Sequence, residues 1–220
     1  MSSIQTSTLL NDLPASERNY MQDYLNQSAE TMVAFSKDDA CSEMMAGIAL
    51  TIMSALQDDR KLLVAGNGGS AADAQHIAGE FTARLMYDRR PLAAIALTTD
   101  TSSLTAIGND YGFDHVFSRQ VLALGRKGDV FLGITTSGRS PNIIEALKAA
   151  HAQGVITVVF TGQTSVDIPE ADFVLRVPSA WTPLIQQMHI TAAHIVCALV
   201  ERALCPQSDV QEQTCAQASS

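Results

Sequence analysis

The sequence predicts an α/β fold, a five-stranded parallel sheet flanked by helices, with two further helices in front of it. Two observations predict this. From residue 60 onward, short apolar runs alternate with stretches of helical periodicity. Two of those runs end in Gly-rich and hydroxyl-rich turns that open into helix patterns. Strands alternating with helices imply right-handed βαβ crossovers and a parallel sheet covered on both faces. Such a sheet binds ligands at the carboxyl ends of its strands, near the switch in strand order.

The elements follow in chain order. Residues 1–13 carry little pattern and read as a flexible arm. Pro14-Ala15-Ser16-Glu17 is a helix start. Met21, Tyr24, Leu25, Ala29, Met32 and Val33 then recur at helical spacing to about Phe35. A second helix is expected over about 40–57, with Met44, Ile48, Ile52 and Leu56 on one stripe. This pair, 14–58, either covers one end of the sheet or forms a subunit interface. The expected strands are Lys61–Ala65, Leu92–Leu97, Asp129–Ile134, Val155–Phe160 and Phe173–Val177. The helices between and after them are expected at Ala71–Met86, 101–107, 114–124, Ser140–Gln153 and 183–204. Residues 14–205 read as a single domain, and the polar, Gln-rich 206–220 as a disordered tail.

Composition narrows the function. With 220 residues the chain can build a core without disulfide or structural metal. Lys plus Arg is 14 and Asp plus Glu is 23, a net charge of −9. That sign argues against a general nucleic-acid or acidic-membrane surface, because phosphate affinity there rests on clustered Lys and Arg. Any phosphate must be held by backbone N–H groups and hydroxyls. No apolar run approaches about 18 residues, so no membrane span is expected. Cys41, Cys197, Cys205 and Cys215 have no zinc-type spacing and read as reduced thiols of a cytoplasmic protein.

The chemistry concentrates in three places. The first strand ends in Gly66-Asn67-Gly68-Gly69-Ser70, and the third in Thr135-Thr136-Ser137-Gly138-Arg139-Ser140. A helix N-terminus behind such a turn offers free N–H groups and a favourable dipole for an anion. The plainer alternative is an N-capped helix start. Neither turn has the dinucleotide or Walker spacing. In the helix after the first turn, His76 and Glu80 share one face. They can hold one divalent metal or form a surface hydrogen-bonded pair. The last helix carries Gln186, His189 and His194. His189 reads as an interior histidine. Gln186 and His194 lie about 12 Å apart along the axis, too far to meet without long reach or a second subunit.

These segments, with Asp73-Ala74-Gln75-His76, Gly108-Asn109-Asp110-Tyr111-Gly112-Phe113 and Ile185-Gln186-Gln187-Met188-His189, resemble the sugar isomerase (SIS) domain. Within that group the sequence resembles the bacterial phosphoheptose isomerase family. The resemblance covers about 60–204 and extends to the two leading helices. It implies a flavodoxin-like SIS fold. It also implies conversion of sedoheptulose 7-phosphate to D-glycero-D-manno-heptose 7-phosphate for lipopolysaccharide, through an enediolate. It assigns Glu80 as base, His194 as its acid–base partner, and one zinc ion to His76, Glu80, Gln186 and His194. It places substrate on Asn67, Gly68, Gly69, Ser70, Glu80, Asn109, Asp110, Thr135, Thr136, Ser137, Ser140 and Gln186. Members are homotetramers with sites at subunit interfaces. One departure is Gln187, where the family usually has Glu. A related non-catalytic SIS protein binds the replication initiator and regulates chromosome replication. It lacks the acidic residue and second histidine that this chain keeps as Glu80 and His194. Sugar-phosphate-sensing transcription regulators carry a basic helix-turn-helix domain, and the first 60 residues here are poor in basic residues.

Overall fold

The computed structural model describes residues 6–207. The strands are β1 (Leu62–Gly66), β2 (Ala94–Ala96), β3 (Val130–Ile134), β4 (Ile156–Gly162) and β5 (Phe173–Val177). All pair in parallel, in the order β2-β1-β3-β4-β5. The helices are α1 (Thr6–Asp12), α2 (Ala15–Ser36), α3 (Asp39–Gln57), α4 (Gly69–Thr82), α5 (Thr101–Tyr111), α6 (Ser118–Leu124), α7 (Pro141–Ala152) and α8 (Thr182–Leu204), with a 3-10 turn at Phe113–His115.

Alternate strand residues feed two cores. Leu62, Val64, Val130, Leu132, Ile134, Val158 and Phe160 pack with α3, α4 and α8. Leu63, Ala65, Phe131 and Val159 face the other way, onto α6 and α7. Because both faces are covered, every residue of β1 and β3 is buried and the strands read as unbroken apolar runs. The chain leaves β1 toward β2 and re-enters the sheet on the other side at β3, so β1 and β3 flank the switch point. Gly133 lets α7 come close, since a Cβ there would stand 2.8 Å from Ile143 Cγ2.

Several expectations are corrected. Residues 6–12 of the expected arm form helix α1. Arg18 Nη1 donates to the carbonyl of Leu13 just beyond it, at 2.5 Å. The expected tail from 208 onward lies outside the described residues. The edge strand shrinks from Leu92–Leu97 to Ala94–Ala96, because only one neighbour supplies partners. The helix expected over 101–107 runs on to Tyr111, and the one over 114–124 divides into the 3-10 turn and α6. The helix expected over 71–86 starts at Gly69 and stops at Thr82. It stops because the Arg89 guanidinium takes the carbonyls of Glu80, Phe81 and Ala83. Finally, α3 and α8 are long and apolar enough to cross a membrane by length and composition, contrary to the sequence reading. Both are seated in the core instead, lining the sheet through residues such as Ile48, Ile52, Met188 and Val196.

Of the two roles left open for the leading helices, covering the sheet falls to α3. α3 buries Cys41, Met45, Ile48, Ala49, Ile52, Ala55 and Leu56, so it covers the sheet. α2 buries Phe35 alone. It leaves Tyr20 60%, Leu25 55% and Val33 50% exposed.

Candidate functional site

The first turn joins β1 to α4 at the switch point. Gly68 sits at φ 55°, a conformation glycine adopts freely. A Cβ on Gly66 would collide with the Ser70 backbone, so glycine is required there too. The second turn joins β3 to α7, with Gly138 at φ 69°. Thr135 Oγ1 and Ser140 Oγ are 3.0 Å apart, and Ser137 Oγ accepts from Arg139 N.

Side-chain caps differ among the helix starts, and α2, α6 and α8 lack one. α3 and α5 are capped by Asp38 and Asp100, which accept from Cys41 N and Ser103 N. At the switch point, Gly68 has no side chain to offer α4, and Ser140 makes no capping bond to α7. Its hydroxyl is turned to Thr135 instead. Neither helix start carries a side-chain cap. Pro141 has no N–H, and the amides of Ser70, Ala71, Ile143 and Ile144 bond turn carbonyls, so the Gly69 and Asn142 amides and the turn hydroxyls are what an anion could use. The turns are also locked together. Asn67 and Asn142 exchange reciprocal amide hydrogen bonds of 2.9 and 2.8 Å. Asn142 is 2% exposed and was not singled out in the sequence; its signal is only a polar residue in the first turn of a helix. Asn67 was expected to touch substrate, and its side chain is largely committed to this bridge. Ser70, also expected there, is buried at 3% exposure.

Behind the turns, α4 and α8 pack along a common seam. Gly69 and Gln186 meet at its head. A Cβ on Gly69 would lie 2.5 Å from Gln186 Nε2. Two turns further along both helices, His76 Nε2 is 3.0 Å from His194 Nε2 and 2.9 Å from Glu80 Oε1. The eight-residue gap from Gln186 to His194 is thus matched by seven residues between Gly69 and His76. The structure brings His76, Glu80 and His194 together. It places Gln186 at the head of the seam, against Gly69. Gln187 points elsewhere, accepting from Ser28 Oγ of α2 at 2.8 Å.

His76, Glu80 and His194 are a candidate metal group, with ligand atoms all within 4.8 Å of one another. Tetrahedral zinc with nitrogen and oxygen donors at about 2.0–2.2 Å needs donors roughly 3.4 Å apart. The observed 2.9 and 3.0 Å are within a few tenths of that. Two imidazoles and a carboxylate are also a zinc-type donor set. The residues fit a divalent ion.

Asp73 is a further acidic group that the spacing could have flagged, at i, i+3 from His76. Its Oδ2 is buried without a hydrogen-bond partner. Burial pushes its carboxyl above the usual range, and His76 pulls it partly back. His189 is an interior histidine, as expected, 1% exposed and packed on Phe160. Burial pushes its pKa down to about 4, against a smaller upward pull from the Thr161 backbone. Cys197 lies beside the seam, its thiol raised to about 12 by burial, then by Glu80 and Glu201. Cys41, Cys197 and Cys205 are free and buried. Cys215 lies outside the described residues. Asn109 and Asp110 sit at the exposed end of α5, hydrogen-bonded to each other at 2.7 Å, and not in the seam.

A SIS domain model matches residues 23–162. A phosphoheptose isomerase of Bradyrhizobium sp. is 53% identical over 182 residues, 82% of this chain and 92% of that protein. The structure of a phosphoheptose isomerase from Neisseria gonorrhoeae superposes with a TM-score of 0.77 at 44% identity, covering 84% of this chain and 98% of the other. One from Francisella tularensis gives 0.79 at 33% identity, covering 84% and 97%. Sequence and fold agree that the chain belongs to the phosphoheptose isomerase family of SIS-domain proteins.

Proposed function

We propose that this chain is an aldose–ketose isomerase that converts sedoheptulose 7-phosphate to D-glycero-D-manno-heptose 7-phosphate, supplying heptose for lipopolysaccharide. The observation that carries this is the convergence of His76, Glu80 and His194 on one side of two uncapped helix N-termini. An anion site next to an acid–base cluster fits a small phosphorylated substrate. It supports the enzyme over the replication-regulator reading, which has no use for a paired carboxylate and imidazole.

The phosphate binds the free N–H groups and hydroxyls of the second turn, Thr135, Thr136, Ser137 and Ser140. The first turn, Asn67, Gly68, Gly69 and Ser70, lines the sugar with its backbone, and Gln186 adds an amide. Glu80 removes the C1 proton of the ketose, giving an enediolate, and the proton returns at C2. His194 shuttles the proton between O1 and O2. Glu80 is held toward this cluster by its bond to His76. A zinc ion held by His76, Glu80 and His194 would polarise the substrate carbonyl. Gln186, expected as a fourth donor, stands two turns away against Gly69 and would join only by long reach or from a second subunit. A ligating carboxylate is a weaker base, so Glu80 serves one task at a time.

The site is shallow: the His76 side chain is 47% exposed. A cleft of about 760 Å³ opens at the amino ends of β1, β3 and β4, between Asp58–Arg60 and Lys127, away from this chemistry. The unpartnered face of α2 supports a homotetramer in which neighbouring copies close each site and bring in Asn109 and Asp110. The test is purified protein with sedoheptulose 7-phosphate, with and without chelator, alongside sedimentation. Turnover that falls with chelator and a tetrameric mass are expected. Absence of turnover under both conditions sinks the isomerase reading.

A further inference from the structure

Arg89 and Glu201 form an ion pair of 3.0 Å, with side chains 2% and 1% exposed. Neither belongs to the turns or to the acid–base cluster. Arg89 spends its remaining donors on carbonyls. Nη2 donates to Glu80 O at 2.6 Å, and Nη1 to Phe81 O at 2.8 Å and Ala83 O at 3.2 Å. Glu201 accepts in turn from Leu85 N at 2.9 Å and Met86 N at 2.8 Å. One pair thus binds the last turn of α4, the loop after it and α8.

The placement ties this pair to the chemistry. Glu80 stands in the last turn of α4, where carbonyls are left without helical partners. Its own carbonyl is the one that Arg89 Nη2 holds. On α8, His194, Cys197 and Glu201 are spaced three and four residues apart, so they share one face. That face meets α4 along the seam. The pair is therefore a cross-strut below the cluster, fixing the helix end that carries the carboxylate to the helix that carries the imidazole. Two buried charges of this kind seldom improve stability over well-packed apolar residues. What they add is a fixed geometry, through a planar fork that reaches several carbonyls at once.

We propose that Arg89 and Glu201 are positioning residues for the isomerisation, holding Glu80 in register with His76 and His194. This rests on the isomerase reading of the site. The test uses three variants of the full chain. Arg89→Lys keeps the charge and loses the fork. Arg89→Met with Glu201→Leu removes both charges, so neither is left buried alone. Glu145→Gln, in the exposed Glu145–Lys148 pair, is the control. Each is assayed for urea midpoint, for kcat and KM with sedoheptulose 7-phosphate, and for Co²⁺ affinity by absorption. The double variant leaves the amides of Leu85 and Met86 and the carbonyls of Glu80, Phe81 and Ala83 without these partners, so it is expected to fold with a lowered midpoint. Its kcat should fall about 100-fold, the cost of a misplacement of about 1 Å. Its KM should move less than about 3-fold, since the phosphate turns are untouched. Its Co²⁺ affinity should fall about 10-fold or more. Arg89→Lys should show the same split to a smaller degree, and it decides alone if the double variant does not fold. Folded variants with wild-type kcat and Co²⁺ affinity overturn the proposal. A wild type without turnover overturns the isomerase reading instead, and the Co²⁺ arm then still tests the strut.

Discussion

Gly69→Ala isolates the meeting of Gly69 and Gln186. Gly69 opens α4 without a positive φ, so the backbone accepts alanine. Alanine in a helix is favoured over glycine by about 1 kcal/mol, so the variant should melt no lower than the wild type. Its Cβ, however, would lie 2.5 Å from Gln186 Nε2 and 3.1 Å from Cδ. Ordinary carbon contacts are about 3.5 Å or more, so the amide must withdraw by about 1 Å. A shift of that size at a reacting centre can cost on the order of 100-fold, or about 2.7 kcal/mol of transition-state stabilisation. The measurement is kcat/KM in a coupled heptose 7-phosphate assay, for Gly69→Ala alone and in a Gln186→Ala background. In that background the methyl meets nothing, so the second loss should vanish. An unchanged kcat/KM for Gly69→Ala, or an equal loss in both backgrounds, refutes the reasoning.

Other outcomes follow from the same geometry. Glu80→Gln should abolish turnover while sugar-phosphate binding, followed calorimetrically, stays within a few-fold; retained turnover removes Glu80 as base. Ser137→Ala with Ser140→Ala should raise KM more than it lowers kcat, because hydroxyls on a remote phosphate contribute mostly uniform binding. A loss confined to kcat counts against a phosphate site there. His189 is buried neutral, with its pKa lowered from 6.5 to about 4. The unfolded chain binds the proton first as pH falls, so stability is full above about 6.5 and is lost toward 4. Between pH 7.5 and 5 this should remove about 2 kcal/mol of unfolding free energy, and His189→Leu should flatten that part of the slope. Equal slopes in urea titrations of the two proteins would exclude His189 as the source.

The strands were legible because β1, β3 and β4 are buried on both faces, which makes β1 and β3 unbroken apolar runs and β4 one interrupted only by the buried Thr157 and Thr161. The two turns were legible because glycine at Gly68 and Gly138 answers a positive φ that other residues resist. His76 and Glu80 were legible because four residues on a helix place side chains on one face. The end of α4 was not, since Thr82 is the last helical residue only because Arg89, seven residues on, takes the carbonyls. Nor was the short α1, which the sequence marks with no apolar stripe.

The sequence by itself determined the sheet, its covering helices and the chemistry available in each turn, because these follow from local periodicity and backbone freedom. Only the tertiary structure decided which pieces meet. His194 is 118 residues from His76 and reaches it at 3.0 Å because α8 packs beside α4. Asn142 bridges 75 residues to Asn67 because β1 and β3 are neighbours at the switch point. Whether the start of α7 was capped or left open also depended on which way Ser140 turned, and its hydroxyl lies 3.0 Å from Thr135 Oγ1. Such contacts depend on how the chain returns on itself, and no local pattern encodes that.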